Sequence, residues 1–223
     1  MDLPELLTNA AGDRRGGATE IALAALDGLL QVADDPDRLA AGAALLEAGQ
    51  PAMAPVWHLA RAARSADPMA ELAALRRALV ADAAAAVATA AAWLDERPGP
   101  VATVSHSSLV ERVLAGRELA AGPGAGQAVA AVIGADALGP AQVLNATGSA
   151  ALAASLPTLV VATAAKLVPA AVFEYMAGTP GFEPVPLASL AAVALGGELL
   201  TPAEVGRRAA GLPAARPRVR RRP

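Results

Sequence analysis

Cysteine is absent from this chain. That excludes disulfides, thiolate catalysis and thiolate metal sites. Histidine is scarce too: the 2 present, His58 and His106, cannot build a His-rich metal site alone, and neither a metal nor a cofactor is expected. Aromatics make up 2% of the residues, so the core has to come from Ala, Leu and Val, which pack helices closely but bury little area each. Lysine is the rarest charge. Of 18 basic residues only Lys166 is lysine, a compact ammonium in a chain that otherwise uses planar guanidinium groups. The longest Ala-rich run, 83 to 94, is too short to span a bilayer and is flanked by Asp82 and Asp95. The opening Met1-Asp2-Leu3-Pro4-Glu5 is acidic and does not read as the start of a secretory signal, so a cytoplasmic protein without a membrane partner is expected.

What remains is a globular composition. The 223 residues are 55% hydrophobic and 17% charged, enough for one large domain or two small ones, and the net charge of -3 argues for no particular partner.

The stretch from Gly134 to Lys166 organises the chain. The apolar run Ala128 to Ile133 enters it and stops at Gly134-Ala135-Asp136, and a second run, Leu159 to Ala162, leaves it. Such runs, bounded by Gly and Pro and separated by a helix, suggest parallel strands of a βαβ unit. Asp136 and Lys166 then follow the carboxyl ends of two strands, the edge of an open α/β sheet where ligands bind.

Before this stretch the chain reads as helices. Residues 1 to 17 form a short arm ending in a Gly16-Gly17 turn. Ile21, Ala25, Leu26, Leu29 and Leu30 make one helical face, and Asp35-Pro36 and Asp67-Pro68 cap and start two more helices. Residues 1–97 are expected to be a helical domain, 98–212 a ligand-binding α/β domain, and 213–223 a disordered basic tail. The tail has no aromatics to stack bases, so nucleic acid is not the expected partner.

Val101 to Val104 is a strand candidate, running into Ser105-His106-Ser107-Ser108 and a helix from Leu109 to about Leu119. Hydroxyls and free backbone N–H groups at that helix start suit an anion. Asn145, Thr147, Gly148 and Ser149, opening a helix at about 147 to 155, form a second such cradle. Two cradles, a carboxylate and an ammonium fit a sugar phosphate or nucleotide.

This order of motifs resembles the family of the regulatory subunits of translation initiation factor 2B, methylthioribose-1-phosphate isomerase and ribose-1,5-bisphosphate isomerase. The residues that carry it are Thr103-Val104-Ser105-His106-Ser107, Gly134-Ala135-Asp136, Asn145-Ala146-Thr147-Gly148-Ser149 and Lys166. Arg15-Gly16-Gly17-Ala18 is similar to the Arg-Gly-Ala of the isomerases, and Phe182-Glu183-Pro184 to the family's closing segment. The resemblance spans about residues 13 to 205. It implies an α/β fold: a helical N-terminal subdomain followed by a reduced Rossmann-like parallel-sheet domain, with a homodimer as the default assembly.

By the same resemblance Asp136 matches the isomerases' catalytic Asp, and Ser105 stands where they have Cys. A thiol near pKa 8.5 is readily poised for proton transfer; a serine hydroxyl without a partner is not. Asn-Lys has become Asn145-Ala146, and an expected arginine before Pro51 is Gln50, so phosphate charge is lost twice. The connection from 116 to 128 is also shorter than in most relatives. The catalytic candidates are thus Asp136 and Ser105. The ligand-binding candidates are Arg15, Gly16, Gly17, His106, Ser107, Ser108, Asn145, Gly148, Ser149 and Lys166. Three functions fit: a sugar-phosphate or nucleotide binder without isomerase activity, an aldose–ketose isomerase of a phosphorylated pentose using Asp136, or a non-catalytic interaction subunit.

Overall fold

A computed structural model describes residues 2–120 and 127–213. Five helices come first: α1 (Glu5–Gly12), α2 (Ala18–Leu30), α3 (Pro36–Gly49), α4 (Ala54–Ala62) and α5 (Pro68–Asp95). Asp35 and Asp67 accept first-turn N–H groups of α3 and α5, each with proline next in line. The segment expected as an arm holds α1 instead, with Leu7, Ala10 and Ala11 buried. The reason lies in its neighbours: a Cβ at Gly28 or at Gly42 would come within 2.8 Å of the Leu7 side chain. Two glycines on α2 and α3 let a two-turn helix sink in, and two turns are too short for periodicity to reveal.

The 28-residue α5 is long and apolar enough to cross a membrane by length and composition. Here its apolar face serves two cores. Leu72 and Leu79 pack with Leu26, Leu29, Leu46 and Leu59 of the helical part, while Ala83, Ala86, Ala90, Trp93 and Leu94 pack beneath the sheet.

The second half alternates strands and helices: β1 (Val101–Ala102), α6 (Ser108–Leu114), β2 (Ala130–Ile133), β3 (Ala137–Leu138), β4 (Gln142–Ala146), α7 (Ser149–Ser155) and β5 (Thr158–Ala162). A 3-10 turn at Ala164–Lys166 follows, then α8 (Ala170–Ala177), β6 (Phe182–Pro186), β7 (Ala192–Leu195), β8 (Glu198–Leu200) and α9 (Pro202–Ala210). The main sheet has the order β1-β2-β5-β7-β8; its first four strands are parallel and β8 returns antiparallel. Every residue of β2, β5 and β7 is buried, as a sheet covered on both faces requires. The molecule is α/β, helical in front and Rossmann-like behind. Thr201 and Glu204 close a capping box at the start of α9, where Thr-Pro-Ala-Glu predicts a helix.

The sequence expectations need correction around this sheet. The strand expected to Val104 ends at Ala102, and the helix expected to Leu119 ends at Leu114, with Leu119 bridging to Val101. Between Asp136 and α7 lies a hairpin, β3–β4, which pairs with β6 into a second, three-stranded antiparallel sheet. Asn145 therefore sits on a strand, not at a helix entry. Strands of two and five residues, one carrying Asn and Gln, leave no alternation to detect. In the 116–128 connection, residues 121–126 lie outside the described residues, as does the basic segment expected at 213–223 beyond Pro213.

Candidate functional site

A cleft of about 820 Å³ opens between the helical front and the carboxyl ends of the sheet strands. Its walls are the turn at 13–18, the α3–α4 connection at 48–53, the loop Ser105-His106-Ser107 with Glu111, the β2 exit with Ala135 and Asp136, Asn145 and Ala146, and the segment 179–182. The structure thus brings Asp136, Ser105, Arg15, Gly16, Gly17, His106, Ser107 and Asn145 together. It leaves Ser108, Gly148, Ser149 and Lys166 off the lining.

Asp136 is held by its own backbone. Its N–H donates to the Leu144 carbonyl at 2.8 Å, and its carbonyl accepts the Ala54 N–H at 2.9 Å, tying sheet, hairpin and α4 at one point. Burial raises its carboxyl pKa above the usual range, and the Lys166 ammonium pulls the other way. Lys166, 3% exposed, lies on the turn after β5, the strand beside β2. Burial pulls its pKa down to about 8 against the opposing pull of Asp136. Neither group is in an ion pair among the described residues, so they interact across space rather than in contact. Thr163, the extended residue just before that turn, is buried, and its Oγ1 has no hydrogen-bond partner among the described residues.

Ser105 Oγ accepts two backbone N–H groups, from Ser107 at 3.3 Å and Gly134 at 3.2 Å, which leaves its proton free to donate. The approach depends on glycine: a Cβ at Gly134 would lie 3.0 Å from that oxygen and 2.8 Å from Ser107 Cβ. His106 is exposed, and no hydrogen bond joins it to Ser105 among the described residues. No side chain able to act as a base is hydrogen-bonded to Ser105 among the described residues.

The helical front contributes cations. Arg15 is exposed, and its side chain makes no hydrogen bond or ion pair among the described residues. Its backbone N–H and that of Gly16 donate to Asp13 Oδ1 at 2.7 and 2.8 Å, which holds the Asp13 carboxyl below its ordinary pKa. Arg14 is used differently: one of its nitrogens donates to the carbonyls of Ala11, Asp13 and Gly49. Gln50 is 6% exposed and donates to the carbonyls of Ala10 at 2.8 Å and Asp13 at 2.6 Å, so it closes the end of α1.

Gly17 packs the front against the sheet half. A Cβ there would stand 2.9 Å from the Ser108 backbone nitrogen and 3.4 Å from Ser107 Cα. Gly17→Ala is therefore expected to push the 15–17 turn off α6, lowering stability by about 1–3 kcal/mol in chemical denaturation. An unchanged midpoint would show that the two halves give way there at no cost.

The second expected anion cradle is already filled. The N–H groups of Gly148 and Ala150 at the start of α7 both donate to Glu183 Oε1 at 2.8 Å. Gly148 has φ +102°, which only glycine adopts without strain. Ser149 is fully buried; its Oγ accepts from Asn145 Nδ2 at 2.8 Å and donates to the Ala146 carbonyl at 2.7 Å. Sequence reasoning missed Glu111, which lines the cleft, and the pairing of Glu183, which lies off the lining, with the start of α7. Glu183 stands 35 positions from Gly148, and no local pattern announces their pairing. His58 bonds the Leu167 carbonyl through Nε2 at 2.9 Å.

Neither a family model nor a curated protein matches the sequence. Solved structures do match. A translation initiation factor eIF-2B from Pyrococcus horikoshii OT3 superposes with a TM-score of 0.68 at 16% identity, over 91% of this chain and 99% of that one. The tetrameric eIF2B-beta2-delta2 complex from C. thermophilum follows at 0.64 and 15%, covering 91% of each chain. The 5-methylthioribose 1-phosphate isomerase of P. horikoshii OT3 matches at 0.58 and 13%, over 92% of this chain and 86% of its own. The chain, with its helices in front, parallel sheet behind and cleft between, has the fold of eIF-2B subunits and 5-methylthioribose 1-phosphate isomerase.

Proposed function

We propose that the cleft binds a sugar phosphate or nucleotide without turning it over. Asp136 accepts hydrogen bonds from sugar hydroxyls and Arg15 pairs with the phosphate. The observation that carries the reading is the placement of Asp136: a half-buried carboxyl group, fixed on both backbone sides, on the lining of a cleft that also holds Arg15, whose guanidinium has no partner among the described residues. Against turnover stands Ser105, whose oxygen accepts two N–H groups and which has no basic side chain bonded to it among the described residues. One neighbour named above is a tetrameric complex, which supports assembly into oligomers; a cytoplasmic homodimer is our reading for this chain. The test is calorimetric titration of the whole chain with ribose 5-phosphate, ribose 1,5-bisphosphate, methylthioribose 1-phosphate, AMP and GMP, with an isomerisation assay beside it. Micromolar binding of at least one without product is expected. If none binds, the chain is better read as an interaction subunit.

An isomerase is the second reading. It is favoured by the direction of the Asp136 shift, since a raised carboxyl pKa suits a general acid. Conversion of any of the three pentose phosphates, lost in Asp136→Asn, would establish it.

A further inference from the structure

We propose that His58 and Asp82, two side chains off the cleft lining, are positioning residues for Asp136. Each fixes one end of the turn that carries Lys166, and together they keep that ammonium within reach of the Asp136 charge. The proposal rests on the sugar-phosphate reading, in which Asp136 holds the ligand, and deepens it.

The turn at Ala164–Lys166 has few bonds of its own. The Lys166 N–H donates to the Thr163 carbonyl and the Leu167 N–H to the Ala164 carbonyl, both at 3.0 Å. A single 3-10 turn has poor hydrogen-bond geometry and little stiffness. The helical front supplies the rest. At the first residue, the Ala164 N–H donates to Asp82 Oδ2 on α5 at 3.0 Å. Just past the last, the Leu167 carbonyl accepts from His58 Nε2 on α4 at 2.9 Å. The partners stand 82 and 109 positions away, so neither bond belongs to local folding of the turn.

The same helix holds Asp136. The Ala54 N–H donates to the Asp136 carbonyl at 2.9 Å, and His58 stands four residues further, one turn along the same face of α4. One face of α4 therefore grips both strand exits, that of β2 with Asp136 and that of β5 with Lys166. Since β2 and β5 are neighbours in the sheet, the two grips fix how the exits sit relative to each other. The titratable groups brought to the Lys166 turn are Asp136 from the β2 exit, His58 from α4 and Asp82 from α5, with Arg61 acting on His58 from further along α4. Burial is the largest influence on His58 and lowers its pKa, so at neutral pH the ring is uncharged and its N–H serves the Leu167 carbonyl.

Lys166 is the only lysine in the chain, so isotope-labelled lysine gives one side-chain signal, and NMR reads its titration midpoint without any ligand. In the parent chain the midpoint is expected at about 8. His58→Phe keeps a ring and loses the donor. With circular dichroism unchanged, the midpoint should rise by about one pH unit or more, a tenfold change in proton affinity, as the ammonium swings out to water. His58→Gln, with an amide nitrogen of similar reach, should restore the parent value. Asp82→Asn keeps an acceptor oxygen and should also stay at the parent value, whereas Asp82→Ala should raise it. Loss of a carboxylate charge alone would lower the midpoint, so a rise assigns the effect to the released turn. The Asp82 pair decides the matter if His58→Phe does not fold. Midpoints at or below the parent's in both His58→Phe and Asp82→Ala, or a His58→Gln midpoint as high as that of His58→Phe, overturn the proposal. Failure of every sugar phosphate and nucleotide to bind would sink the broader reading, and the lysine signal would still decide this one.

Discussion

Asp136→Asn is expected to weaken ligand binding roughly 100- to 1,000-fold. A carboxylate can accept from two vicinal hydroxyls at once, and each such charge-assisted bond contributes about 1.5–3 kcal/mol, against about 1.4 kcal/mol for a tenfold change in affinity. The amide keeps the shape of the side chain but has only one acceptor oxygen and no charge. The backbone bonds to Leu144 and Ala54 survive the change, so the β2 exit stays in place. One side effect has to be separated from the binding loss: the variant strips Lys166 of the Asp136 charge that opposes its desolvation. The double variant Asp136→Asn/Lys166→Met removes that stranded ammonium. Binding lost to the same degree in both would assign the loss to the carboxylate. Binding restored in the double variant would assign it to local disruption around Lys166.

How much of this was legible in the sequence depends on how local each signal is. The parallel strands announced themselves because β2 and β5 are unbroken apolar runs, and the helix starts at Asp35, Asp67 and Thr201 because capping is read within four residues. The helix α1 and the β3–β4 hairpin were missed because each is short and stabilised by distant partners: α1 by Gly28 and Gly42, β4 by β6. At the site, the positions of Asp136 and Ser105 follow from strand ends. The states of Lys166 and Gln50 do not. A lysine after a strand end reads as a phosphate ligand until its burial is known, and a glutamine before proline reads as a lost arginine until its amide is found on α1. The filled cradle at α7 is the same lesson: Gly148 and Ser149 look like an anion site, and only the fold reveals that Glu183 supplies the anion.

Lys166→Met is expected to stabilise the protein while damaging its site. The folded chain holds the Lys166 ammonium buried, with a pKa of about 8 against an ordinary 10.5. At 1.36 kcal/mol per pH unit that difference is a deficit of about 3 kcal/mol wherever both folded and unfolded chains carry the charge, which is below pH 8. Between pH 8 and 10.5 the unfolded chain still binds the proton and the folded chain does not. Unfolding there takes up a proton, so raising the pH disfavours unfolding and stability climbs. Above 10.5 both are neutral and the deficit is gone. Methionine fills a similar volume without charge, so the variant should gain about 1–3 kcal/mol at pH 7, less than the whole deficit because Asp136 loses its counter-charge. Its stability should then stay level where the parent's rises. The composition makes the measurement clean: with no cysteine, one lysine and one tyrosine, few other side chains titrate in that window. Ligand binding should respond in the opposite sense. Without the ammonium, burial alone sets the Asp136 carboxyl, its pKa rises further, and the pH below which binding fails moves upward. A variant that is less stable at pH 7, or whose binding profile does not move, would show that Lys166 makes a contact stronger than its burial cost. A gain in stability together with an upward shift in the binding profile would show an ammonium kept for what it does to Asp136, at the expense of the fold.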